Sequence, residues 1–391
     1  MRDRPLITRV VLENYKSIGF CDVKLGPLAI LVGPNESGKS NFLSALKFLS
    51  ECMNGGVDAA FRQRSGFPRV LRRNGSAAHL GLRVDFLTAE GLSGHYSVRF
   101  TPSDAAGYII EREECIEGRL RYEGRNGVLT GSDCPRPEQQ ASDLYLPKYP
   151  CFSSTYRVLS SCHFYNFSPK DLRNPNHTGH EERFLRNDGV NLTNVFELIR
   201  LLHPDVSERI TQYLRVLNPA LLSIRAVESG SRRNLEFSLH DSKGTFSPNE
   251  VSDGTLRSLA VLVALFQARG GADNVSLVGL EEPESALHPA AAGVLFDALR
   301  EASASVQVLA TTHSADLLDK KEVDTDSILS VAFEDGATRI GPVDQTGREV
   351  LRRRLYTAGE LMRMNHLQPR PSADPRPEEV EAVLFGDLVS A

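Results

Sequence analysis

The sequence predicts an α/β fold: a mixed sheet with an antiparallel β-meander and a helical lobe. Three observations carry that prediction. The apolar run Leu28–Val32 feeds a glycine-rich loop and then a helical pattern from Asn41 to Leu49, the strand–loop–helix unit of α/β proteins. Two later runs read as buried strands, the apolar Ser276–Leu280 and Val306–Ala310, and a helical pattern over Ala290–Ala302 separates them. From His79 to about Thr130 the pattern turns to short alternating segments divided by glycine-rich turns, the mark of a meander.

Taken in order, Ile7–Leu12 alternates as a strand, Ile18–Leu25 begins a second, and Leu28–Val32 is the third. The meander is expected from Leu80–Phe86, His95–Phe100, Tyr108–Glu113 and Leu120–Tyr122. Residues 131–180, rich in Pro, Ser and Asn, read as surface loop. Asn191–Leu217 has apolar residues at helical spacing, interrupted near His203-Pro204, and Leu222–Val227 with Leu235–Leu239 reads as a hairpin. Glu250–Gln267 is a second strong helix. Beyond residue 346 a tail holds a Pro-rich extended linker starting at His366, then a short amphipathic helix over Glu378–Val389. The expected domains are residues 1–165 and 271–345 for the two parts of one lobe, 166–270 for a helical lobe, and 346–391 for a tail available to a partner.

The chain has 391 residues, 41% hydrophobic and 24% charged, enough to bury a full core. Its net charge of −5 gives no global attraction to nucleic acid or anionic lipid. The densest positive cluster, Arg64, Arg69, Arg72 and Arg73, reads first as a solvated loop face and second as a nucleic-acid or protein contact. Six scattered cysteines (Cys21, Cys52, Cys115, Cys134, Cys151, Cys162) exclude a dense disulfide framework, and the start Met-Arg-Asp-Arg-Pro has no signal-peptide core. The longest apolar run, Leu259–Phe266, is too short to span a bilayer. A cytoplasmic protein with reduced thiols and no membrane association is expected.

Residues 33–40 read Gly-Pro-Asn-Glu-Ser-Gly-Lys-Ser, a complete G-x-x-x-x-G-K-[ST] phosphate-binding loop. Gly33 and Gly38 let the backbone wrap a triphosphate so that N–H groups face the anion, Lys39 neutralises the outer phosphates, and Ser40 offers a hydroxyl to Mg²⁺. The strand Ser276–Leu280 ends at once in Glu281-Glu282, two acids suited to holding Mg²⁺ and to orienting or deprotonating a water. His313 follows the strand Val306–Ala310, where open α/β sheets place ligands. Val251-Ser252-Asp253-Gly254-Thr255 opens a helix with serine at its N-cap, a pattern that on local grounds is only a well-capped helix.

The order of these four motifs resembles that of ABC-type P-loop ATPase heads, and in detail the branch containing the RecF, SMC and OLD proteins. The resemblance covers about residues 5–50 and 245–320. Asn35 and Asn41 around the loop, the lead-in Glu13-Asn14-Tyr15-Lys16-Ser17, and Glu282-Pro283-Glu284 with Leu287-His288-Pro289 carry it. It implies ATP and Mg²⁺ as cofactors, Lys16 and Ser17 near the nucleotide, Ser40 and Glu281 at the metal, Glu282 as catalytic base and His313 as switch histidine. It further implies that Ser252 and Gly254 meet the γ-phosphate held by a partner subunit, in a homodimer or higher oligomer closed by ATP. The sequence departs from the transporter pattern in Ser-Asp-Gly-Thr for the signature, in Glu281 for the usual Asp, and in lacking an evident Q-loop glutamine.

No long coiled coil interrupts the head, as SMC cohesion would need, and the stretch after His313 leaves no room for the TOPRIM domain of OLD nucleases. Heads of this kind resemble the ATPase components of anti-phage systems such as PARIS, Septu and some retron modules. That likeness implies a sensor or regulatory subunit for a separate toxin or nuclease, with residues 131–180 and the C-terminal segment as docking surfaces. The alternative is a RecF-like DNA-binding repair ATPase, which needs a basic groove from the Arg64–Arg73 region.

Overall fold

The computed structural model describes residues 4–73, 79–104, 107–131, 143–174, 176–177, 183–240, 244–269, 275–285, 287–320, 323–371 and 375–386. Cys134, parts of the expected 131–180 loop and of the Pro-rich linker, and the end of the C-terminal helix lie outside them. The chain divides into two compact units, Met1–Cys162 with Asp324–Leu355 and Met364–Ala391, and His163–Val323 with Tyr356–Arg363.

Among the described residues of the first unit, ten strands lie in the order Val128–Thr130, Leu120–Arg125, Gly107–Glu117, Ser93–Ser103, Leu80–Leu87, Leu6–Tyr15, Ile18–Lys24, Ala337–Pro342, Ile328–Glu334 and Leu28–Val32. The meander is antiparallel throughout and continues into Leu6–Tyr15. The sheet becomes mixed at the other end, where Ile328–Glu334 runs parallel to Leu28–Val32 and Ala337–Pro342 parallel to Ile18–Lys24. The hairpin Ile328–Glu334/Ala337–Pro342 turns at Asp335-Gly336, both in left-handed backbone (φ 51° and 73°), as a two-residue turn matching strand twist requires. Against the sheet packs the helix Lys39–Gly55, whose Phe48 joins Phe61, Phe67, Phe100 and Tyr108 in a buried aromatic cluster with closest centroids at 4.7 Å.

Both faces of this sheet bury charged groups, Glu113 and Glu114 being successive residues of one strand. Glu113 is fully buried, yet its carboxylate accepts bonds from Tyr96 (3.0 Å), Tyr122 (2.8 Å) and the backbone N–H groups of Tyr145 (2.7 Å) and Leu146 (3.0 Å). Burial pushes its pKa up, and these four donors oppose the shift. The helix Pro377–Phe385 lies over the same sheet, burying Val380, Leu384 and Phe385 against Val11. Arg83 donates from Nη1 to the carbonyls of Val383 (3.1 Å), Leu384 (3.4 Å) and Gly386 (2.7 Å), closing the orphan C-terminal acceptors of that helix. Ser97 adds a 2.6 Å bond to the Leu384 carbonyl, and the Arg112 guanidinium stands 4.1 Å from the centre of the Phe385 ring. The C-terminal helix is thus seated on its own chain, and only its outward face is open to a partner.

The second unit contains the parallel pair Leu277–Glu281 and Gln307–Thr312, with Cys162–Tyr165 on the other side of Leu277–Glu281. The apolar helix Asp253–Phe266, the helix Ala292–Ala302 between the two parallel strands, the pair Leu192–Leu202 and Pro204–Leu217, and the hairpin Leu221–Ser229/Arg232–Leu239 belong to the same unit. Pro204 occupies the first turn of its helix, so the break expected at His203-Pro204 is real.

Two expectations are corrected. The stretch 131–180 is not surface loop throughout, because it holds the helix Ser153–Ser160, the strand Cys162–Tyr165 and the short turn Pro169–Leu172. That strand is only four residues long, too short for periodicity to reveal. Nor are all the thiols free: Cys21, Cys52, Cys115 and Cys162 are free and buried, whereas Cys151 is disulfide-bonded.

Candidate functional site

In the first unit the phosphate loop bridges Leu28–Val32 and the helix Lys39–Gly55. Gly33 has no alternative at its position, since a Cβ there would sit 2.1 Å from the Val331 carbonyl oxygen of the neighbouring strand. Gly38 is left-handed at φ 104° and serves as the helix N-cap, where it has no side chain to cap the first N–H groups of the helix. Lys39 is buried, its ammonium turned back to the carbonyls of Gly33 (2.9 Å) and Pro34 (2.7 Å). Asn35 and Ser40 are exposed. Ser37 Oγ is buried with no hydrogen-bond partner among the described residues. A wrapped backbone, uncapped N–H groups and a buried cation fit a polyphosphate.

The lead-in residues converge on this loop. Lys16, left-handed at φ 51°, donates to Ser44 Oγ at 3.0 Å, and Ser17 Oγ accepts from the Asn41 amide at 2.7 Å. Lys16 and Ser17 therefore contact the loop helix through Ser44 and Asn41.

In the second unit Glu281 ends its strand and accepts a 2.9 Å hydrogen bond from the Asn166 side chain, just beyond Cys162–Tyr165. Asn166 was missed by sequence reasoning, which searched for a glutamine and treated the region as loop. The amide steers the carboxylate that the sequence assigns to the metal. Glu282 follows in left-handed backbone (φ 45°), a strained conformation for a non-glycine residue of the kind found at functional sites. Its N–H donates to the Thr311 carbonyl (3.1 Å), and its Oε1 lies 3.0 Å from His313 Nδ1. The expected base and the expected switch histidine thus form one pair. Glu284, buried unlike its half-exposed neighbours Glu281 and Glu282, accepts from Thr312 Oγ1, and its other oxygen has no partner among the described residues. Burial raises the Glu284 pKa.

Ser252 caps the helix Asp253–Phe266, accepting from the Thr255 N–H at 3.2 Å, and remains exposed. The Gly254 carbonyl accepts from Ser258 Oγ at 2.7 Å. Ser252 and Gly254 do not contribute to either cluster described above.

The arginine cluster does not form a uniform basic face. Arg64 bonds Glu51 and stacks its guanidinium 5.3 Å from the Phe48 ring centre, while Arg72 donates to the Gly336 carbonyl at 3.2 Å. Arg69 and Arg73 remain exposed. The short helix Val57–Arg62 buries Val57, Ala60 and Phe61, and Gln63 follows it, exposed in a turn. Among the described residues no group of three or more His, Cys, Asp and Glu could hold a metal ion, and no helix is long and apolar enough to cross a membrane.

The fold is that of Smc head domains, as the ABC-type expectation required. The structure of an Smc head bound to the C-winged helix domain of ScpA superposes with a TM-score of 0.54 at 14% identity, covering 88% of this chain and 99% of that one. An Smc head with an extended coiled coil, bound to the C-terminal domain of ScpA and derived from Pyrococcus furiosus, gives 0.54 at 13% identity, covering 89% and 99%. No curated protein matches the sequence. Residues 28–319 match a family model running from the strand Leu28–Val32 to just beyond His313, and the chain belongs to that family, described as "AAA domain, putative AbiEii toxin, Type IV TA system".

Proposed function

We propose that the protein binds ATP with Mg²⁺, hydrolyses it, and acts as the sensor or regulatory subunit of a separate toxin or nuclease in anti-phage defence. The observation that carries the ATPase reading is the pairing of Glu282 with His313, beside a Glu281 steered by Asn166. Ser40 and Glu281 are assigned as the metal ligands, and Mg²⁺ held there would offset phosphate charge. Lys39, released from the Gly33 and Pro34 carbonyls, meets the outer phosphates. Glu282 takes the proton of the attacking water, and His313 Nδ1 holds its carboxylate in place. Ser252, left exposed at a helix start, is assigned to the γ-phosphate bound by a second copy of the chain. ATP then closes a dimer and hydrolysis opens it.

The family description, which names a toxin–antitoxin system, supports the defence setting, and the Smc heads solved with ScpA domains support a head that engages a separate protein. The test is light scattering of Glu282→Gln with ATP·Mg²⁺, together with phosphate release by the wild-type protein. A nucleotide-dependent dimer and multiple-turnover release are expected. A monomer under all conditions would remove the dimer model, and absence of release would leave a nucleotide-gated binding protein. The effector is tested by co-purification with genomic neighbours: a nuclease- or toxin-like partner is expected. Steeply salt-dependent DNA stimulation without such a partner would favour the repair reading instead.

A further inference from the structure

We propose that Thr338, on the strand Ala337–Pro342, is a positioning residue of the phosphate loop, fixing the direction in which the Gly38 N–H is presented to the nucleotide. This rests on the nucleotide-binding reading above. Thr338 lies 301 residues after Ser37, is fully buried, and donates from Oγ1 to the Ser37 carbonyl at 2.9 Å. The same oxygen is 2.7 Å from Ser17 Oγ, which in turn accepts from the Asn41 side-chain amide at 2.7 Å. The backbone ties the same elements together, the Thr338 N–H donating to the Ser17 carbonyl at 2.9 Å.

Only one arrangement of protons satisfies this chain. The Asn41 nitrogen can only donate and the Ser37 carbonyl can only accept. The one hydroxyl proton of Thr338 is committed to Ser37, so Ser17 donates to Thr338 and receives from Asn41. A directed relay therefore runs from the loop helix through the lead-in turn and the late hairpin, back into the loop.

Its consequence follows from peptide geometry. In a trans peptide C=O and N–H point in opposite directions. Holding the Ser37 carbonyl against Thr338 turns the Gly38 N–H away from the hairpin. Gly38 itself admits Thr338: a Cβ on Gly38 would come within 2.1 Å of Thr338 Oγ1. Hairpin and loop are thus matched to each other, although nothing in the loop motif refers to position 338. Without the anchor, the Ser37–Gly38 peptide can rotate, and the nucleotide must restore its orientation on binding.

The experiment is titration calorimetry of MgATP with wild type, Thr338→Val, Thr338→Ser, Ser17→Ala and Lys39→Ala, with thermal melting of each free protein. Valine keeps the branched shape and loses the hydroxyl; serine keeps the hydroxyl. Thr338→Val is expected to weaken MgATP about tenfold, the scale of one hydrogen bond, with Thr338→Ser near wild type. Ser17→Ala, which leaves the Thr338–Ser37 bond intact, is expected to lose less. If wild type binds MgATP, Lys39→Ala does not, and Thr338→Val binds as wild type does whatever its melting temperature, the positioning role is overturned. Should Thr338→Val fail to fold, Thr338→Ser and Ser17→Ala decide: serine weaker than alanine contradicts the proposal. If wild type and Lys39→Ala bind equally, or neither binds, the nucleotide-binding reading of the loop fails instead.

Discussion

Leu384→Ala tests whether the C-terminal helix belongs to the fold. Leu384 is 0% exposed in a cluster with Val11, Val380 and Phe385, and its Cδ1 lies where a Cβ on Gly81 would approach to 2.6 Å. Truncating a fully buried leucine costs roughly 2–5 kcal/mol, from lost transfer energy plus the cavity left behind. Taking about 3 kcal/mol and roughly 2–4 °C per kcal/mol for a unit of this size, the melting temperature falls by about 6–12 °C. On a free tail the same substitution stays within about 0.5 kcal/mol. Arg83→Met, which removes the donor for the carbonyls of Val383, Leu384 and Gly386, should be destabilising alone and add little to Leu384→Ala, because both act by undocking one helix. Differential scanning fluorimetry of the four proteins gives the answer. A shift below about 2 °C for Leu384→Ala, or full additivity of the pair, would refute the docked helix and return this segment to the role of a tail.

Gly38→Ala should abolish nucleotide binding, because φ 104° and the 2.1 Å approach to Thr338 exclude a Cβ; calorimetry with MgATP checks it. The His163 imidazole is pushed down to about 4 by burial, so the folded state favours its neutral form. Its stability contribution is present above the ordinary pKa near 6.5 and is lost as pH falls toward about 4, by roughly 3 kcal/mol at most. Chemical denaturation between pH 7 and pH 4 should show that loss reduced in His163→Phe, which keeps the ring stacked on Phe184 (5.4 Å in the native pair).

What sequence reading recovered and missed follows from how far each feature reaches along the chain. Leu28–Val32 was read to the residue, and Pro204 marked the helix break, because apolar continuity and proline geometry act over a few neighbours. The hairpin Ile328–Glu334/Ala337–Pro342 had its own local signal in Asp335-Gly336, but its importance did not, since Thr338 matters only through Ser17 and Ser37. Arg64 and Arg72 looked like a basic surface because composition records charge and not partners; Glu51, Phe48 and the Gly336 carbonyl absorb them.

The sequence by itself determined the phosphate loop, the acidic strand end and the capped Ser-x-Gly helix, each encoded in contiguous residues whose backbone requirements are local. Only the tertiary structure decided that Asn166 steers Glu281, that His313 pairs with Glu282, that Thr338 holds the loop, and that the last helix is capped by Arg83. Those are side-chain hydrogen bonds between segments far apart in sequence. Hydrogen bonds depend on distance and angle at the scale of tenths of an ångström, and such geometry exists only once the strands and helices have packed.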